Sequence, residues 1–134
     1  MRGSCLCGAI QFEVNHAKWC ANCHCSMCRR AHGAAYVTWV GFPRKDFSLT
    51  SGAEHVGQYP SSSQARRSFC KRCGSPFAFE SARWPDEIHI ARASLPDELA
   101  LRPQGHCYFD DRAPWLDSSE HLPRFGGAQG TDPL

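Results

Sequence analysis

Seven of the nine cysteines in this chain fall into three tight clusters: Cys5-Leu6-Cys7, Cys23-His24-Cys25-Ser26-Met27-Cys28 and Cys70-Lys71-Arg72-Cys73. Thiolates one or two residues apart on a tight turn readily share a metal ion, whereas a disulfide over so short a span is strained. Each cluster therefore reads as a metal knuckle. Together they offer seven ligands, enough for one closed four-thiolate site and a second site with three. A closed site holds a fold together, and a three-ligand site leaves a position for chemistry.

Cys5, Cys7, Cys70 and Cys73 are the natural closed set. Two paired knuckles far apart in sequence would pin the first strand to the middle of the fold. Such a structural zinc contributes on the order of 10 kcal/mol or more to folding. Cys23, Cys25 and Cys28 can all face a second ion. Cys20, three residues earlier, is an alternative fourth ligand that would close this site and make both metals structural. The reading preferred here is the open one.

An open three-thiolate zinc carries a net charge of −1, which makes it a poor activator of water compared with zinc on neutral histidines. It suits a fourth, exogenous thiol, deprotonated on binding and held as a nucleophile. Thiol or thioether chemistry is thus favoured over hydrolysis, which would need a carboxylate or histidine that no local motif supplies. His24 lies inside the knuckle but reads as a neighbour of ligands, not a ligand. His32, His89 and His106 read as ordinary strand or loop residues, with His106 preceding a Tyr108-Phe109 pair suited to lining a cleft. Arg29 or Arg30 is placed to bind a substrate carboxylate through the guanidinium fork. The pairs Arg66-Arg67 and Lys71-Arg72 read as solvated surface that offsets thiolate charge.

The chain has 134 residues with 42% hydrophobic content, which suits one domain with a modest core that metal cross-links would reinforce. Its formal charge of +2 counts cysteine as neutral. Seven thiolates and two dipositive ions would turn it to −1, so the basic pI is poor evidence for nucleic acid as a partner. Met1-Arg2-Gly3-Ser4-Cys5 runs straight into the first knuckle, and no apolar run approaches a membrane span. The expectation is a cytoplasmic protein, where thiols stay reduced and dense cysteines mean metal.

Short strand signals recur along the chain. Ile10, Phe12 and Val14 alternate with polar residues, and Ala34 to Val40 is rich in strand formers. His55–Tyr59, Arg67–Phe69, Phe77–Phe79 and Ile88–Ala93 follow, separated by glycine, proline and serine turns. Helical signal is confined to short turns at Cys25–His32 and Ser94–Glu98. Many short strands with so little helix between them predict an all-β fold.

These motifs together resemble the glutathione-dependent formaldehyde-activating enzyme (Gfa) family. Gly3-Ser4-Cys5-Leu6-Cys7-Gly8 resembles its opening motif, Cys23-His24-Cys25-Ser26-Met27-Cys28-Arg29 its central one, and Phe69-Cys70-Lys71-Arg72-Cys73-Gly74-Ser75 its second paired knuckle. Arg112-Ala113-Pro114-Trp115 and Leu122-Pro123-Arg124-Phe125 are similar to its closing segment. The resemblance implies coiled β-sheets built around zinc over residues 1–125, with 126–134 as a flexible tail. It implies two zinc ions per chain: a structural one on Cys5, Cys7, Cys70 and Cys73, and a catalytic one on Cys23, Cys25 and Cys28, with Cys20 and Cys107 as bystanders. The family's activity joins formaldehyde to glutathione, so a carbon–sulfur lyase acting on a small thiol is expected. The rival expectation is a non-catalytic zinc module that binds a protein partner.

Overall fold

In a computed structural model, the backbone is described throughout residues 1–134 and the side chains of all but Ser118 and Ser119. The strands run β1 (Arg2–Ser4), β2 (Gln11–Val14), β3 (Trp19–Cys23), β4 (Val37–Pro43), β5 (Phe47–Ser51), β6 (Val56–Tyr59), β7 (Ala65–Cys70), β8 (Pro76–Ser81), β9 (Glu87–Ala91), β10 (His106–Cys107), β11 (Phe125–Gly126) and β12 (Asp132–Pro133). One α-helix, α1 (Ser26–His32), lies between β3 and β4. Seven strands form the main sheet in the order β10-β3-β4-β9-β8-β7-β6, and β1-β2-β5 form a second. The all-β expectation holds.

Strand alternation sorts the main sheet into two faces. Val40, Phe42, Ile88, Ile90 and Ala78 join Ile10, Phe12 and Val14 of the small sheet in one core, where Phe12 stacks on Phe77 at 5.6 Å. Each such side chain taken fully out of water stabilises the fold by roughly 1.5–3 kcal/mol. The intervening residues Trp19, Trp39, Arg67, Phe79 and His89 belong to the other face, which forms the wall of a cleft. One row crosses that face through paired residues: Arg67 opposite Phe79, Phe79 opposite His89, His89 opposite Gly41, and Gly41 opposite Trp19.

Gly41 is required there. A Cβ at this position would stand 2.3 Å from the Trp19 indole, so only glycine lets that ring lie across β4. One element differs from what the sequence predicts. Trp19–Cys23 is a full strand although its Asn residue carries little β propensity, because β4 and β10 pair with it on both sides. Near the C-terminus Phe125 and Gly126 pair with Pro133 and Asp132.

Candidate metal centre

The first cluster forms where two turns meet. Cys5-Leu6-Cys7-Gly8 follows β1, and Cys70-Lys71-Arg72-Cys73-Gly74 joins β7 to β8. Both turns close on a glycine with positive φ, 79° at Gly8 and 81° at Gly74, a conformation L side chains avoid. Their hydrogen bonds match as well: Gly8 N–H donates to the Cys5 carbonyl at 3.2 Å, and Gly74 N–H to the Cys70 carbonyl at 2.7 Å. Ser75 bridges the turns, its Oγ accepting from Leu6 N–H at 3.0 Å and lying 3.2 Å from the Cys73 sulfur. Hydrogen bonds from the Ser75 side chain and backbone hold the Cys73 thiol down at about 5.

The sulfurs of Cys5, Cys7, Cys70 and Cys73 all lie within 4.8 Å of one another. Cys5 and Cys7 are 3.6 Å apart, and Cys7 and Cys70 3.9 Å. No cysteine of the chain is in a disulfide. Thiolates around an ion at ~2.3 Å would sit about 3.8 Å apart along the edges of a tetrahedron. The donor set has the size and chemistry of a closed thiolate site.

The second cluster is local. Cys23 ends β3, and Cys25 caps α1, its Sγ accepting from Cys28 N–H at 3.3 Å. Gly33 closes the helix in the left-handed conformation, and Arg29, Arg30 and His32 occupy its last turn, where positive charge suits the helix dipole. The sulfurs of Cys23, Cys25 and Cys28 lie within 4.8 Å of one another, with Cys23 to Cys28 at 3.6 Å. Hydrogen bonds from the Cys23 and Cys28 thiols hold Cys25 down at about 2, while the same bonds push the Cys23 thiol up. Among the described residues no fourth histidine, cysteine or carboxylate joins this group.

Cys20, the alternative fourth ligand, is buried in the main core, and burial pushes its thiol up. Cys107 is exposed and pairs in register with Cys23. Both border the cleft, but neither belongs to the three-sulfur group. His24 is 1% exposed, with Nε2 2.9 Å from His106 Nδ1, and its ring sits beside Tyr36 and Phe109. Burial, then the charges of His106, Arg112 and Arg29, lower its pKa. It supports the knuckle and is not among the converging donors.

Arg67 is the cleft residue beside the second cluster that the sequence does not single out. Its guanidinium is buried, with Nη1 3.6 Å and Nη2 3.7 Å from the Cys28 sulfur, and it stacks on Phe79 at 5.0 Å. By contrast, Arg29 donates from Nε and Nη2 to the carbonyls of His24 and Asp111, and Arg30 is exposed. Neither borders the cleft, whereas Arg67 and Arg83 do.

The cleft measures about 820 Å³ and is lined by all three sulfurs of the second cluster. A separate hollow of about 970 Å³ lies beside β1 and touches only Cys5 of the thiol groups. The former is where the three-sulfur group meets open space. Among the described residues no helix is long and apolar enough to cross a membrane.

Fold and sites together define a β-sheet protein with two thiol clusters suited to metal, one closed and one opening on a cleft. The chain belongs to the glutathione-dependent formaldehyde-activating enzyme family, whose model matches residues 1–111. A Halomonas elongata protein named "Putative glutathione-dependent formaldehyde-activating enzyme" is 29% identical over 87% of this chain and 80% of its own. An uncharacterized lyase of Schizosaccharomyces pombe is 37% identical over 79% of this chain and 82% of its own. The crystal structure of a Rhodobacter sphaeroides protein superposes with a TM-score of 0.65 at 28% identity, covering 75% of this chain and 92% of that one.

Proposed function

We propose that the protein is a zinc-dependent carbon–sulfur lyase, making and breaking the bond between a small thiol of the glutathione type and an aldehyde carbon. The observation that carries this reading is the three-sulfur group of Cys23, Cys25 and Cys28 on the wall of an open cleft, with no fourth donor from the described residues. Zinc bound there would supply a position that takes up an external thiol and lowers its pKa. The Cys5, Cys7, Cys70 and Cys73 group serves as the structural site.

The chain's own residues set the conditions for this chemistry. Arg67 places its positive charge against Cys28 and offsets the excess negative charge of three thiolates. Cys28 N–H donates to Cys25 and fixes its sulfur. Arg83, exposed at the rim and stacked on Trp84 at 5.1 Å, offers a fork for a substrate carboxylate. In the forward direction the thiol sulfur bonds to the carbonyl carbon, the carbonyl π pair moves to oxygen, and that oxygen takes up a proton. The reverse direction cleaves the same bond and needs no oxidant.

Exchange spectroscopy with carbon-13 aldehydes and glutathione tests the reading. The zinc-loaded protein is expected to accelerate exchange between free aldehyde and its S-hydroxyalkyl adduct, and Cys25→Ser to abolish the acceleration. No acceleration with formaldehyde or any larger aldehyde would point instead to a zinc module without catalysis.

A further inference from the structure

The cleft's volume of about 820 Å³ lies within the ~300–1,000 Å³ range that takes a drug-sized ligand, a class that includes a glutathione-type thiol, so the lining and not the volume bears on the electrophile. Beyond the sulfurs and Arg67, the cleft continues along the row of paired residues into a group of rings. Trp19 meets His89 edge-on at 4.7 Å, Phe79 stacks against it at 5.6 Å, and Trp84 lies 5.5 Å away.

This ring group is built, and is not a by-product of core packing. Gly41 leaves room for the Trp19 indole to lie across the sheet. Glu87 accepts from Lys18 Nζ at 2.7 Å and lies 2.9 Å from His89 Nε2, which fixes the imidazole plane. Trp84 remains 41% exposed at the rim, so the group still presents apolar ring surface to the cleft. Planar ring faces on a cleft wall suit an aromatic group.

Building on the carbon–sulfur lyase reading, we propose that the natural electrophile is an aromatic aldehyde, whose ring lies against the cleft side of the group formed by Trp19, Phe79, Trp84 and His89 while its thiol adduct reaches the Cys23, Cys25 and Cys28 group. The bond made and broken is the one given above: sulfur to the carbonyl carbon, with the proton going to the carbonyl oxygen. Ring contacts with the walls add affinity for every aromatic adduct and none for formaldehyde's. The aromatic wall therefore sets specificity and leaves the reacting atoms alone.

Two measurements separate this inference from the reaction itself. Binding of the unreactive thioethers S-(2-naphthylmethyl)glutathione and S-methylglutathione is followed by tryptophan fluorescence and calorimetry on the zinc-loaded protein. The aromatic thioether is expected to bind at least tenfold tighter, and Trp84→Ala to collapse that ratio to below about threefold, since any loss through Arg83, which stacks on Trp84, is common to both thioethers. In exchange assays, kcat/KM for 2-naphthaldehyde should exceed that for formaldehyde, with Trp84→Ala lowering the ratio of the two. Equal binding of the two thioethers overturns the aromatic assignment even if formaldehyde exchange is fast. Tenfold preference without exchange on any aldehyde keeps the ring site and removes the lyase reading. Thermal melts of Trp84→Ala and retained metal content verify that the variant is folded.

Discussion

Arg67 approaches Cys28 with both Nη atoms, 3.6 and 3.7 Å from one sulfur, from inside the sheet face that forms the cleft. A buried guanidinium against a buried thiol is stable only if the pair shares charge, because an unpaired charge there is strongly penalised. The pair ties the second cluster to β7, and through β7 to the first cluster, since Cys70 ends the same strand.

Arg67→Met should accordingly weaken metal retention at Cys23, Cys25 and Cys28 by about 10- to 100-fold, the usual cost of losing a partner of a metal ligand. Competition with a chelator, following release of the two ions separately, measures this. An ion held by Cys5, Cys7, Cys70 and Cys73 should leave at an unchanged rate. Parallel loss of both ions would mean that Arg67 supports the fold and not the second site.

Substituting one ligand in each cluster should have unequal effects. Cys73→Ser would remove one ligand of the proposed metal cross-link between β1 and the β7–β8 turn and should destabilise the whole chain. Cys25→Ser should lose one ion and keep most of the fold, because its cluster closes only a short loop. Melting curves with metal counting check the difference. Equal destabilisation would show that the division into structural and open sites is wrong.

Cys20→Ala should leave metal content near two per chain, since the Cys20 thiol lies in the core and outside the three-sulfur group. Loss of one ion in this variant would identify a closed second site and favour the non-catalytic module.

Stability should also fall with acid through His32. Burial, aided by the positive charge of Arg67, pushes its imidazole down to about 4 from an ordinary 6.5, and the ring packs edge-on to Trp39 at 5.1 Å. The folded pKa lies below the unfolded one, so the unfolded chain binds more protons between those values. The stability from neutral His32 is complete above pH 6.5 and is lost as pH falls toward about 4. Between pH 7.5 and 5 the parent protein should lose more Tm than His32→Gln, while thiolate protonation affects both alike. Identical slopes would rule out a role for His32 in the acid sensitivity.

Much of the site was legible in the sequence because metal knuckles are local. Short spacing alone brought Cys23, Cys25 and Cys28 together, and the glycines after Cys7 and Cys73 marked turns. The pairing of the two distant knuckles followed from counting ligands. The cleft wall was not legible, because it is assembled from single residues on five strands. Ile88-His89-Ile90 showed that His89 faces away from the core, but nothing local said that Trp19 and Phe79 would meet it there. Arg67 was hidden in the same way: Arg66 beside it does pair with Glu80 in an exposed position, as a solvated arginine should. The strand at Trp19–Cys23 went unseen because its pairing partners, and not its own residues, make it a strand.

Cobalt substitution reads the second cluster itself, because thiolate-to-cobalt charge-transfer bands count the sulfurs around the ion. With three protein thiolates and an open position facing the cleft, addition of glutathione should intensify and shift these bands as a fourth thiolate joins. The change should be absent in Cys25→Ser and should persist in Cys20→Ala. A spectrum that glutathione, cysteine and other small thiols all leave unchanged would contradict thiol binding at the second cluster, and with it the proposed chemistry.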